Sequence, residues 1–160
     1  MIASIALLAS TTPNALARLE IATPSEAAAA VGICLKAARP GAVDTSQLIA
    51  AGWREQSGDK TSGQVFTHPD NAAVLYTMGA PLSGVCWARV RLADSASIDF
   101  AGDEIDRMLG LKGQRRAGHL GKFYWRLGNR IVASNGFDDG PGSPPYVIQI
   151  GIGEMPKEFR

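Results

Sequence analysis

Apolar and polar positions along the chain switch between a helical and a strand spacing, and the switches divide it into elements. Ala27, Ala30, Val31, Cys34, Leu35 and Ala38 fall at the i, i+3, i+4, i+7, i+8 and i+11 positions of one helix face. Ahead of them, Thr23-Pro24-Ser25-Glu26 supplies a capping hydroxyl, a proline for the first helical position and a glutamate to complete a capping box. Pro40-Gly41 stops this helix. A second, shorter helix is predicted from Asp44 to Gly52, with Gln47 as its capping-box partner. Trp53 follows as a core anchor where the chain turns toward a sheet. Residues 57–63 are polar and rich in turn formers, and predict a loop.

Strand spacing takes over at residues 65–67 and 73–78, which flank the turn His68-Pro69-Asp70-Asn71. Over residues 85–92, Cys86, Ala88, Val90 and Leu92 take the inward face, while Val85, Trp87, Arg89 and Arg91 take the other. A third helix is predicted over 99–109, capped by Ser97, with Ile98, Ala101, Ile105, Met108 and Leu109 as its apolar stripe. Gly128-Asn129 then joins the runs 123–127 and 130–134 as a hairpin whose register sets Trp125 opposite Val132. After a Gly/Pro-rich loop over 135–145, Tyr146, Ile148, Ile150 and Ile152 share one face of a last strand. The order ααβββαβββ predicts an α+β fold, an antiparallel β-sheet of about six strands packed against two to three helices. No internal repeat is visible in the sequence.

Composition narrows the class. At 160 residues, with 46% hydrophobic and 19% charged side chains, the chain has globular values and fits one domain. A net charge of +1 gives no global attraction to nucleic acid or to an anionic membrane, and no apolar run approaches a membrane span. The segment 1–17 carries no Asp, Glu, Lys or Arg. It holds a short apolar core from Ile2 to Ala9, then Pro13, and ends Ala15-Leu16-Ala17, the layout of a signal peptide. Residues 18–160 are then the single α+β domain, and the expected location is periplasmic or secreted. If the segment is retained, the location is cytoplasmic.

Export changes the meaning of the two cysteines. Cys34 lies in the apolar stripe of the first helix and Cys86 on the inward face of a strand, so both point into one helix–sheet interface and a disulfide is expected. The two positions are 52 apart, and closing that loop stabilises by up to about 4 kcal/mol in the chain-entropy model.

Candidate chemistry is sparse. His68 with Asp70 can be drawn as a base and its carboxylate, yet the same residues make an ordinary turn. Asp138-Asp139-Gly140 lacks the calcium-loop pattern, and Gly151-Ile152-Gly153-Glu154 has no helix after it to cradle a phosphate. Neither His68 nor His119 stands at zinc-ligand spacing from a cysteine, so no metal and no cofactor are expected. The one concentration of cations is Lys112, Arg115, Arg116, His119 and Lys122, a glycine-spaced segment suited to gripping an acidic ligand or an envelope protein. The sequence thus favours an exported, non-enzymatic binding or interaction module. The alternatives are a small hydrolase using His68 or His119 with a nearby carboxylate, and an intracellular phosphate or nucleic-acid binder acting through the 112–122 segment.

Overall fold

The computed structural model describes residues 19–59, 63–115, 122–137 and 146–154. The predicted leader, Arg116, His119 and the Asp138-Asp139-Gly140 turn lie outside the described residues.

Helix α1 spans Pro24–Ala37, and its capping box forms as the sequence predicts. Thr23 Oγ1 accepts the Glu26 N–H at 3.2 Å, and the Glu26 carboxylate accepts the Thr23 N–H at 2.7 Å. The other Glu26 carboxylate oxygen accepts the Ala72 N–H at 3.1 Å, so the cap also ties the helix to the sheet. Past Ala37 the chain pairs β1 (Ala38–Arg39) with β2 (Ala42–Val43) around Pro40-Gly41. Gly41 takes the left-handed conformation this tight turn requires.

Helix α2 is Thr45–Ala50. The predicted Asp44–Gln47 capping box does not form; the Asp44 carboxylate instead accepts the Ser46 hydroxyl at 2.5 Å. Helix α3 is Ser95–Leu109 and begins earlier than predicted, because Asp94 and not Ser97 is its cap. Asp94 accepts the Ser97 N–H at 2.7 Å, which makes Ser97 a residue of the first turn.

The strands are β3 (Arg54–Asp59), β4 (Gly63–His68), β5 (Asn71–Thr77), β6 (Cys86–Arg91), β7 (Gln114–Arg115), β8 (Phe123–Leu127), β9 (Arg130–Phe137) and β10 (Val147–Glu154). They form one antiparallel sheet in the order β3-β4-β5-β6-β10-β9-β8-β7. The sheet therefore has eight strands where about six were expected. The two additional strands are its edges. β3 is exposed over residues 54–58, with a register shift between Glu55 and Ser57, and β7 is two residues long. Neither buries an apolar face, so neither leaves an alternating pattern in the sequence.

That strand order contains a repeat the sequence does not display. β3 to β6 and β7 to β10 are two meanders, joined antiparallel along β6 and β10, and each follows a helix packed on the same side of the sheet. The hairpin register is as predicted, with Trp125 opposite Val132. Cys86, Ala88, Val90 and Leu92 are buried on the helix side, and Ile148, Ile150 and Ile152 continue that core on β10. Cys34 and Cys86 are both fully buried and form a disulfide, with their Cα atoms 5.5 Å apart. Among the described residues no helix is long and apolar enough to cross a membrane.

Candidate functional site

One opening lies where α1, the end of α3 and the β4–β5 turn meet, a cavity of about 660 Å³. Its walls are apolar: Gly32 and Ile33 from α1, Met108 and Leu109 from α3, and Trp53 at the entry to β3. Two glycines let its walls approach closely. A Cβ on Gly32 would stand 2.8 Å from Met108 Sδ, so only glycine there lets Met108 lie across α1 undisturbed. Gly52, at φ +90°, turns the chain out of α2 and sits against the His68 ring, where a Cβ would meet Nε2 at 2.8 Å. Met108, assigned by the sequence to the core stripe, is 40% exposed because it faces this opening.

His68 closes one side, its ring 5.4 Å from that of Trp53. Its Nδ1 accepts the Asp70 backbone N–H at 3.0 Å across the Pro69-Asp70 turn. Neutral imidazole has one donor and one acceptor nitrogen, so this bond puts the proton on Nε2. The donor of the ring is thus Nε2, the nitrogen beside Gly52. In a Ser-His-Asp triad Nδ1 gives its proton to a carboxylate, whereas here that nitrogen accepts from an amide. The exposed Lys36 and Asp70 side chains stand at the rim.

Of the basic segment, Arg115 lies at another corner and is committed to structure. Arg115 reaches Asp103 at 2.6 Å and Asp106 at 3.3 Å, and its guanidinium lies over the Phe123 ring at 5.1 Å. Asp106 also accepts the Trp125 indole N–H at 2.6 Å and the Gly113 N–H at 2.7 Å. Burial pushes the Asp106 carboxyl up, but the Gly113 amide, the Trp125 indole and the Arg115 guanidinium outweigh it and hold the group below the ordinary carboxylate range. Lys112 is exposed at the rim of a shallow depression that it shares with Asp103, Asp106 and Arg107, so carboxylates balance the cations there. Lys122 is half-buried just before β8. The sequence shows the run of cations but not the two aspartates that α3 brings opposite them.

Among the described residues, no three of His, Cys, Asp and Glu gather as a metal site would. The Trp53–His68 pair was also hidden in the sequence, where each residue had a separate structural reading; their meeting depends on the turn at Gly52. No protein-family model matches this chain, and neither a curated protein nor a solved structure does.

Proposed function

We propose that the protein is an exported, non-enzymatic binding module that seats a small amphipathic ligand in the cavity between α1, α3 and the β4–β5 turn. The observation that carries this reading is the cavity itself. Its volume of about 660 Å³ is that of a small-molecule site, with apolar walls and a few convergent polar groups. The Cys34–Cys86 bond supports both parts of the reading. Disulfides persist in oxidising compartments, and this one anchors the helix that supplies Gly32 and Ile33 to β6. The His68 Nε2–H and the Lys36 ammonium are both donors, which favours a ligand whose apolar body ends in an acceptor such as a carboxylate.

Decanoate is a suitable probe. Calorimetric titration of the oxidised protein is expected to give saturable binding, and saturating decanoate should raise Tm by mass action. Met108→Glu places a charge in the apolar wall and should abolish the signal while the fold is retained. Absence of binding to the parent protein, or equal binding by Met108→Glu, overturns the assignment.

A further inference from the structure

We propose a second, independent binding site at the opposite end of β4, a polar cavity that takes a neutral, polyhydroxylated ligand through Gln64. This cavity of about 450 Å³ is framed by the β1–β2 turn, the first residues of α2, the start of β4, the end of β5 and Ser83. Gln64 is 6% exposed, on the inward face of its strand two residues before the core residue Phe66. Its backbone N–H is satisfied by Thr77 Oγ1 at 2.9 Å, but its side-chain carboxamide has no partner among the described residues. The carboxamide oxygen and nitrogen are not sealed in the core but reach this opening.

The surrounding groups define the ligand. The carboxamide offers two donors and an acceptor. Thr77 Oγ1 already accepts one bond, which leaves its proton to give. Asp44 has one carboxylate oxygen engaged by Ser46, and the Thr45 hydroxyl has no partner among the described residues. The Ser46 hydroxyl bond lowers the Asp44 carboxyl below its ordinary value, so it stays an acceptor at neutral pH. Among the described residues no lysine, arginine or histidine lines the cavity, although Arg39 acts on Asp44 from nearby, so an anion finds one carboxylate and no lining cation. An ammonium ion satisfies Asp44 but has nothing to accept the Gln64 and Thr77 protons. Hydroxyl groups both give and accept, and Met78 offers an apolar patch for the C–H face of a sugar ring. The shared chemistry is a pyranose, free or at the end of a glycan.

The test is a ¹⁵N–¹H correlation spectrum of the oxidised protein titrated with D-glucose and with maltotriose, beside choline and inorganic phosphate. Movement of the Gln64 side-chain NH₂ signals and the Thr45 and Thr77 amides with either sugar supports the site, provided the Thr45 and Thr77 shifts are lost in Gln64→Leu. Maltotriose binding more tightly than glucose indicates a glycan terminus, and equal binding a free sugar. Thr45→Val, at the half-buried rim, keeps the test open if Gln64→Leu does not fold, and should weaken sugar binding at least threefold. Silence toward both sugars, movement that persists in Gln64→Leu, or a stronger response to choline or phosphate overturns the proposal. Met108→Glu should leave this response unchanged, which separates failure here from failure at the first cavity.

Discussion

The two halves of the sheet share one plan and secure it by different chemistry. In the first half, α1 precedes the meander β3 to β6 and is held to it by a covalent bond between Cys34 and Cys86. In the second, α3 precedes β7 to β10 and is held by the Asp106 carboxylate, which gathers Trp125, Gly113 and Arg115. Both cavities lie mainly in the first half, and among the described residues the second half carries a shallow depression. A helix fixed by one buried bond need not pack tightly along its whole length. One fixed by a cluster of hydrogen bonds must keep every partner close.

Breaking the covalent half should have the largest effect. Replacing Cys34 and Cys86 together with alanine is expected to cost up to about 4 kcal/mol, read as a lowered urea midpoint. A loss below about 1 kcal/mol would mean that ordinary packing already fixes α1 to the sheet.

The polar half should respond less, and with a pH signature. Asp106→Asn removes the charge that Arg115 and the Trp125 N–H address, and is expected to cost about 1–3 kcal/mol at neutral pH. Because the folded carboxyl lies below its unfolded value of 3.8, the unfolded chain binds the proton first as pH falls. The stabilisation is thus fully present above the unfolded pKa and is lost as pH drops through the folded one. Denaturation series below about pH 4 should therefore converge for parent and variant. A gap that persists unchanged into strong acid would place the effect in packing and not in the carboxylate.

Gly32→Ala should have the smallest effect on stability. Alanine improves the helix by up to about 1 kcal/mol, while the Met108 thioether must swing aside, so the net change should stay within about 0.5 kcal/mol. The displaced Met108 narrows the cavity, so decanoate binding should weaken although stability does not. Unchanged binding would show that this wall does not touch the ligand.

What the sequence revealed follows from which residues carry a periodic signal. The capping box at Thr23, the inward face of β6, the Trp125–Val132 register and the cysteine pair were legible because burial of one face imposes a spacing. β3 was not, since Glu55, Gln56 and Ser57 are exposed and answer only to backbone pairing. The Asp94 cap was missed because three polar residues within four positions, Asp94, Ser95 and Ser97, each offered an oxygen, and local spacing alone does not choose among them. The candidate sites were the least legible part. Gln64 lies between strand residues with nothing in its neighbours to mark it, and its significance arises only when Thr77, Asp44 and Thr45 converge on it from two other segments. Arg115 shows the converse: a cation that looks available in sequence is neutralised by aspartates on the preceding helix.

The outermost strand has a consequence for how the protein behaves when crowded. A free sheet edge is a template on which a second copy can extend the sheet, and long apolar edges start aggregates in this way. β3 presents Arg54, Glu55 and Gln56 there, then slips register before Ser57. An incoming strand would meet charge first and then a break in its row of hydrogen-bonding partners. The same polarity that hid β3 from the hydrophobic pattern thus discourages the sheet from growing along that side.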